Sequence, residues 1–449
     1  MLKIYNTASR RLEQFKPAGE VVKIYTCGPT VYNFQHIGNY AAYIYWDLLI
    51  RTLKMDGYAV KRVLNFTDVG HLVSDGDEGE DKLEKGAARE GKSVYEIAKF
   101  YGDDFLRNFR ALNLIEPDVI AHATDYIEAD KRAVDKMTEA GFTYETTDGV
   151  YFDTSKFERY ADFAKLDLEG LKAGARVGFN SEKHDASDFA VWKFIQPGEK
   201  HAMRWDYLGR PGYPGWHLEC STIIHEELGE PIDIHTGGAD HIPVHHTNEI
   251  AQTFAMTGRE LSRYWMHCNF ITIDGEKISK SLGNVYTLDD LAERWFSPMD
   301  FKMWVLSGHY QGTRNFTFEG LAATKQRRLN WRNKIALLYQ KASTASLVDG
   351  VFKEILSVVN NNFNSAEAFS IIDTSELSME DWKEIDELFG LNLINDSPDV
   401  NDAVRDLISE RQAARDNKNF ARSDEIREEL KSFGIAVEDT PTGPIWQYI

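Results

Sequence analysis

The hydrophobic pattern of this chain switches between two periods. Residues 20–27 and 59–66 are short apolar runs of the kind that form buried strands, and 38–56 between them repeats its apolar positions at helical spacing and ends near Gly57. A strand, an amphipathic helix and a second strand make a βαβ beginning. The next stretch, 67–92, is polar and acidic, with Asp75, Asp77, Glu78, Glu80 and Asp81 close together, and predicts an exposed loop leading into helices from about 93 to 141. From 147 to 215 the pattern turns irregular and rich in aromatics, Gly and Pro, with strand-like pieces at Val150-Tyr151-Phe152 and Phe189-Ala190-Val191-Trp192-Lys193-Phe194, which suggests an insertion. Strand character returns at Pro231-Ile232-Asp233-Ile234-His235 and at 265–273, on either side of a helix from about 245 to 257. Beyond 285 the pattern is helical until Gly434, after which 435–441 predicts a terminal hairpin; polar patches at 342–352 and 394–402 are the candidate flexible linkers.

Composition narrows this picture. A chain of 449 residues with 43% hydrophobic content has room for two to four domains with packed cores. No stretch approaches the apolar length needed to cross a bilayer, and Met1-Leu2-Lys3-Ile4-Tyr5-Asn6-Thr7 lacks the basic-then-apolar layout of a signal peptide, so a cytoplasmic protein with no membrane partner is expected. Cys27, Cys220 and Cys268 are too few and too scattered for a disulfide framework and are expected as thiols.

The net charge of −20, from 51 basic and 71 acidic residues, by itself argues against a nucleic-acid partner. Local distribution points the other way. Lys325, Arg327, Arg328, Arg332 and Lys334 crowd one helical stretch with Trp331, and Arg405, Arg411, Arg415, Lys418, Arg422 and Arg427 recur through the last helices. These are either basic strips for a polyanion or ordinary helix faces paired with Asp and Glu.

Two distant segments carry matched chemistry. His36-Ile37-Gly38-Asn39 falls where an apolar run gives way to a helical pattern, at a helix N-terminus whose unpaired N–H groups favour phosphate. The His36 imidazole can donate to a phosphate under attack, and the absence of a Cβ at Gly38 lets a flat base approach the backbone. Lys277-Ile278-Ser279-Lys280-Ser281 follows the turn at Asp274-Gly275, so Lys277 and Lys280 sit on a hinged loop able to close over a leaving pyrophosphate. Together they point to adenylate-forming chemistry. A second constellation suits a metal: His245 and Glu249 are four apart on a helix and emerge on one face, Cys220 precedes them, and Cys27 ends the first strand, where ligands gather in a nucleotide-binding sheet. Spacing alone leaves the choice open, because an isolated Cys is commonly a small core residue and His217, His225, His235, His241 and His246 lie in the same region.

These residues carry a resemblance spanning nearly the whole chain. Cys27-Gly28-Pro29-Thr30-Val31-Tyr32, His36-Ile37-Gly38-Asn39 (similar to a HIGH motif), Pro214 through Ser221, Asp233 through Asp240, His245-His246-Thr247-Asn248-Glu249 and Lys277 through Asn284 (similar to KMSKS) together resemble the cysteinyl-tRNA synthetases, a class I aminoacyl-tRNA synthetase family. The resemblance implies an α/β fold: a Rossmann-like catalytic domain with an inserted connective segment, then an all-α bundle and a small C-terminal α+β module. The implied divisions are 1–115, an insertion at 116–215, 216–289 with the lysine loop, a stem-contacting bundle at 290–395 and an anticodon-binding module at 400–449, where Trp446 is a candidate for stacking on a base. It implies one Zn²⁺ per chain on Cys27, Cys220, His245 and Glu249, and Mg²⁺ with ATP. Catalysis falls to His36, Asn39, Lys277 and Lys280, and ATP contacts to His36, Gly38, Asn39, Gly238, Asp240 and Lys280. Gly28, Thr67, Trp216 and His245 are the implied amino-acid pocket. The implied partners are ATP, L-cysteine and tRNA(Cys), acted on by a monomer.

Departures accompany the match. After Asn65-Phe66-Thr67-Asp68 the chain reads Val69-Gly70-His71 where the family continues with acidic residues and a lysine; Thr247 stands where an acidic residue is common and His241 where an apolar one is. Two rival readings are a cysteine ligase with an amino-sugar acceptor, which lacks an anticodon module, and a synthetase-like regulator, which carries a broken motif.

Overall fold

In the computed structural model, which describes residues 1–69, 82–166, 182–199, 201–340, 350–441 and 443–449, the apolar runs become one five-stranded parallel sheet. Its spatial order is Ser262–Cys268, Ile232–Gly238, Val21–Thr26, Ala59–Phe66 and Val119–His122. Parallel strands covered on both faces read as continuous apolar runs, which is why these strands lack polar alternation. The first strand in sequence lies in the middle. The chain builds outward on one side, then returns to build the other, so the order reverses between Val21–Thr26 and Ile232–Gly238. That switch point opens a crevice at the carboxyl ends of the strands.

Val119–His122 corrects the expectation of helix throughout 93–141. It separates the helices Val94–Ala111 and Ile127–Glu139, and it carries the central sheet past position 115. The acidic stretch 70–81 lies outside the described residues, but the exposed loop expected to run to 92 gives way to a helix at Lys82–Glu90.

The first crossover helix, Ile37–Met55, is buried on more than the single stripe its sequence suggested, with Tyr40, Ile44, Leu48, Leu49 and Leu53 among its enclosed side chains. It touches the sheet on one side and the helices Pro298–Leu306 and Met379–Phe389 on others. Each such aliphatic side chain contributes roughly 1.5–3 kcal/mol on burial. One charge interrupts this apolar surface. Asp47, fully buried, accepts from Arg51 Nε at 2.7 Å, Lys302 Nζ at 2.8 Å and the Ile115 backbone N–H at 2.7 Å. Burial alone raises a carboxyl, yet the Lys302 ammonium and the Arg51 guanidinium leave Asp47 below its ordinary value.

The irregular 147–215 region, joined by Thr143–Glu145 just before it, forms an antiparallel sheet ordered Thr143–Glu145, Gly149–Phe152, Phe189–Phe194, Arg210–Pro214 and Trp205–Tyr207. Its strand Arg210–Pro214 leads through Gly215 into Leu218–Glu227, so the insertion delivers the chain directly to the helix carrying Cys220. Beyond the central sheet a small three-stranded sheet, Glu276–Lys277, Ile271–Ile273 and Arg314–Phe316, frames the lysine loop. Its last strand interrupts the region expected to be helical.

The helices Phe318–Gln340, Val351–Val359, Ser365–Thr374, Met379–Phe389, Asp402–Asp416 and Phe420–Ser432 follow, and the expected hairpin closes the chain as Ile435–Thr440 paired with Gly443–Tyr448. Most of the expected 342–352 linker lies outside the described residues. The other, 394–402, is pinned instead of flexible: Asp396 pairs with Arg328, and its carbonyl accepts from Arg332. Trp446, expected to meet a base, is 4% exposed and packs with Ala336, Ile408, Ile426 and Leu430. The basic strips are largely consumed within the protein. Arg327 pairs with Asp373, Arg411 and Arg415 with Asp439, Arg422 with Glu410 and Glu425, and Lys334 donates to the carbonyls of Ile372 and Asp373.

Asp47→Ala strands the Lys302 ammonium in the interior. It is expected to cost about 3–5 kcal/mol in denaturant unfolding; a loss below about 1 kcal/mol would contradict the account of Asp47 as the buried tie.

Candidate functional site

The C-terminal edge of the sheet, at the switch point, gathers four ligand-type side chains. Cys27 follows Val21–Thr26, its backbone N–H donating to the Thr236 carbonyl at 3.2 Å. Cys220 sits in the first turn of Leu218–Glu227. His245 and Glu249 share one face of His245–Thr257, a helix that stops at Gly258 because only a left-handed residue (φ +69°) fits there. All four are buried, and one ligand atom from each lies within 4.8 Å of the others.

The contacts inside this cluster fit a shared cation. His245 Nε2 lies 2.7 Å from Glu249 Oε1, yet that oxygen has no hydrogen-bond partner among the described residues. A ring nitrogen and a carboxylate oxygen that are close without the alignment of a hydrogen bond have the geometry of two donors converging on one centre. Their other polar atoms are engaged: His245 Nδ1 is 2.9 Å from His217 Nδ1, and Glu249 Oε2 is 2.6 Å from His235 Nε2. Such outer partners orient metal ligands. Burial pushes the Cys27 thiol up to about 11 and holds Cys220 well above the ordinary thiol value. Burial also opposes ionisation of Glu249, but His235 and His245 hold it well below the usual carboxylate range. Two thiols, an imidazole and a carboxylate in this setting are compatible with a tetrahedral zinc site.

The competing histidines fall into place around it. His235, His241 and His246 lie close enough to form alternative groups with Cys27, but His246 bridges Cys27 Sγ at 3.4 Å and His267 Nε2 at 2.7 Å, while His235 supports Glu249. His225 pairs with Glu230 away from the cluster.

The amino-acid pocket residues named from the sequence surround the same cluster. Trp216 stacks on His245 with ring centroids 5.0 Å apart. Gly28 donates its N–H to Asn65 Oδ1 at 2.8 Å, and a Cβ there would sit 1.5 Å from the Asn65 carbonyl oxygen, so only glycine fits. Thr67 Oγ1 donates to Glu219 Oε1 at 2.6 Å and accepts from Asn65 Nδ2 at 3.2 Å. Asn65 and Glu219 were missed in the sequence. The one signal for Glu219 was an acidic residue among the apolar positions of a short helix, directly before Cys220. Burial pushes its carboxyl up to about 8, against the pull of Thr67 and His245.

The nucleotide side is built on the next helix. His36 caps Ile37–Met55: its ring Nδ1 accepts from the Asn39 backbone N–H at 3.3 Å, and Asn39 Oδ1 accepts from the His36 N–H at 3.1 Å. Because Nδ1 accepts, the neutral ring carries its proton on Nε2. Asn39 therefore holds His36 and the helix terminus together. At Gly38 a Cβ would come within 2.7 Å of Ile278 Cδ1, so the lysine loop itself lies against the space the sequence reading reserved for a base. Within that loop Asn284 donates to the Lys277 carbonyl at 3.1 Å and accepts from the Ser279 N–H at 2.8 Å. Lys277 is exposed at the end of Glu276–Lys277; Lys280 opens the short helical turn Lys280–Leu282, and its side chain lies outside the described residues. Gly238 ends Ile232–Gly238 with Asp240 folded back so that a Cβ at Gly238 would meet Asp240 Oδ1 at 2.2 Å.

Comparison with known proteins agrees in extent with this architecture. Residues 14–326 match the family described as tRNA synthetases class I (C) catalytic domain, and 397–446 match the cysteinyl-tRNA ligase anticodon binding domain. The chain is 42% identical to cysteine–tRNA ligase 1 of Burkholderia lata, covering 98% of this chain and 96% of that one, and 35% identical to the cysteine–tRNA ligase of Treponema denticola, covering 99% of each. Among solved structures, a methionyl-tRNA synthetase of Mycobacterium tuberculosis superposes with a TM-score of 0.59 at 16% identity over 84% of this chain and 89% of that one, a likeness of fold. No helix among the described residues is long and apolar enough to cross a membrane.

Cys220→Ala is expected to lose the bound zinc, measured by atomic emission on the purified protein, with its far-UV circular dichroism unchanged. One zinc per chain retained by that variant would contradict the ligand set.

Proposed function

We propose that this chain, which belongs to the cysteinyl-tRNA synthetase family of class I aminoacyl-tRNA synthetases, is a cysteine–tRNA ligase. It activates L-cysteine with ATP and transfers the aminoacyl group to the 3′ end of tRNA(Cys). The observation that carries this reading is the convergence of Cys27, Cys220, His245 and Glu249 beside the His36 helix terminus, at one crevice of the sheet.

In the first step the cysteine carboxylate attacks the α-phosphorus of ATP and pyrophosphate leaves. Negative charge grows on the phosphate oxygens, and the reading assigns its compensation to His36 Nε2–H, the N–H groups at the start of Ile37–Met55, Lys277 and Lys280, with Mg²⁺ accompanying the nucleotide. Asn39 acts through the cap, keeping the His36 proton on the nitrogen that faces outward from the helix. Gly238 and Asp240 are assigned to the adenosine. In the second step the terminal ribose hydroxyl of the tRNA attacks the acyl carbon and AMP departs.

Selectivity is the harder task, since serine differs from cysteine by one atom and a shaped pocket separates such near-isosteres by only about 1–3 kcal/mol. Zinc held by Cys27, Cys220, His245 and Glu249, one ion per chain, would supply a soft Lewis acid that prefers a thiolate to a neutral alcohol. Gly28, Thr67, Trp216 and His245 enclose the rest of the substrate. An editing domain is then unnecessary, and the inserted antiparallel sheet needs no such role.

The match over 397–446 favours tRNA as acceptor over an amino sugar, and intact motifs at 36–39 and 277–281 favour an enzyme over a regulator. The division at 115, 215, 289 and 395, a monomeric state and a cytoplasmic location belong to the same proposal.

Cysteine-dependent ATP–pyrophosphate exchange, with serine inactive at equal concentration, is the expected activity. Lys280→Ala is expected to lower its kcat roughly 10²- to 10³-fold while the KM for cysteine moves little; an effect confined to cysteine affinity would contradict the role of the lysine loop.

A further inference from the structure

The residues that the sequence suggested for RNA are mostly spent inside the protein, but another tryptophan is held outside it. The short helix Leu288–Ala292 ends in two hydrogen bonds that reach back from beyond it: Phe296 N–H donates to the Leu291 carbonyl at 3.0 Å and Trp295 N–H to the Ala292 carbonyl at 2.9 Å. This ending puts one residue in the left-handed region, where glycine is favoured because a Cβ is strained. Here that residue is Trp295, at φ +64° and 85% exposed. Glycine would end the helix with less strain, and the indole gains no burial in return, so folding does not account for a tryptophan at this position.

The surroundings suit a polyanion. Arg294 and Lys325 flank the residue, and neither is ion-paired with a carboxylate among the described residues, unlike Arg327, Arg411 and Arg422. Both are held from behind. The Arg294 guanidinium lies 5.2 Å from the Tyr286 ring centroid and 5.0 Å from that of Phe318, and donates to the Asp290 carbonyl at 2.8 Å. Lys325 Nζ donates to the Trp295 carbonyl at 2.6 Å. Tyr286 in turn accepts from the Ile37 N–H at 2.8 Å, which ties this turn to the helix terminus at His36.

We propose that Trp295, with Arg294 and Lys325, is a docking point for the tRNA, where an unpaired base stacks on the indole and the two cations take the adjoining phosphates. A ring and fixed cations together are what a nucleotide uses. A protein partner or a second copy of the chain calls for a contiguous apolar patch, whereas Trp295 is bordered by Glu293 and Arg294, and Phe296 turns inward to stack on Phe318. On a chain of net charge −20, two unpaired cations beside an exposed ring also mark out one place for a phosphate backbone. The link through Tyr286 makes the contact a positioning one, fixing where the 3′ end enters relative to the crevice.

The inference rests on the tRNA ligase reading above, and failure of that reading appears in the wild-type protein itself, as absence of cysteine-dependent exchange or of tRNA charging. The test is Trp295→Gly, which removes the ring and relieves the backbone, so the thermal midpoint is expected to stay level or rise. Cysteine-dependent ATP–pyrophosphate exchange is expected to stay within twofold of wild type, while the KM for tRNA(Cys) in aminoacylation rises roughly 5- to 100-fold, the scale of one base stacked on an aromatic ring. Trp295→Phe, which keeps a ring in the same strained backbone, must recover most of that loss. Lys325→Gln is expected to lower the slope of log affinity for tRNA against log salt by about one. An unchanged KM for tRNA in Trp295→Gly, an equal loss of exchange, a loss that phenylalanine does not repair, or a wild-type dimer that the glycine variant dissociates would each overturn the proposal.

Discussion

The structure turns on the approach of four buried polar side chains, Cys27, Cys220, His245 and Glu249, whose ligand-type atoms lie within 4.8 Å of one another. Burying two thiols, an imidazole and a carboxylate together is unfavourable unless a cation or a set of hydrogen bonds compensates them. The protein supplies hydrogen bonds to the outer atoms, through His217 and His235, and leaves the inner atoms facing one another. The rest of the catalytic half can be understood as scaffolding for that arrangement. A parallel sheet brings Cys27 to its carboxyl edge, and a helix with four-residue spacing brings His245 and Glu249 across from it. The antiparallel insertion returns the chain at Gly215 so that Cys220 closes the group.

The two ends of the proposed substrate site are linked mechanically. The Ile37–Met55 helix begins at His36, within reach of the switch point, and is anchored at its far side by Asp47 to Lys302 on the helix Pro298–Leu306. The lysine loop touches the same helix terminus, with Ile278 resting over Gly38 and the Ile37 N–H donating to the Tyr286 carbonyl at 2.8 Å. On the proposed reading the nucleotide shares this space with Ile278, and Lys277 on the same loop is the residue assigned to its phosphates. Placement of the nucleotide contacts on a helix terminus and a hinged loop, and of the amino-acid contacts on the rigid sheet edge, suits a reaction in which ATP binding is adaptable and amino-acid recognition is strict.

Much of this was legible in the sequence because its signals were local. The strand at 21–26, the crossover helix, the helix at 245–257 and the terminal hairpin follow from periodicity, and the family motifs grouped Cys27, Cys220, His245 and Glu249 before their proximity was known. What escaped was set by tertiary context. Val119–His122 is four residues long and sits between two helices, so its pairing with Ala59–Phe66 leaves no periodic trace. Lys325 through Lys334 and the C-terminal arginines look basic in one dimension, yet their partners, such as Asp373, Asp396 and Asp439, come from elsewhere in the chain. Trp446 is aromatic near a terminus, which fits a base platform or a core equally; its packing against Ala336 and Leu430 decides for the core. Glu219 was invisible because nothing along the sequence says that Thr67 lies across from it.

X-ray absorption at the zinc edge, recorded on the protein alone and with L-cysteine or L-serine added, tests the central claim most directly. The account predicts two sulfur scatterers in the protein alone, three with cysteine and two with serine. A sulfur count unchanged by cysteine would contradict it.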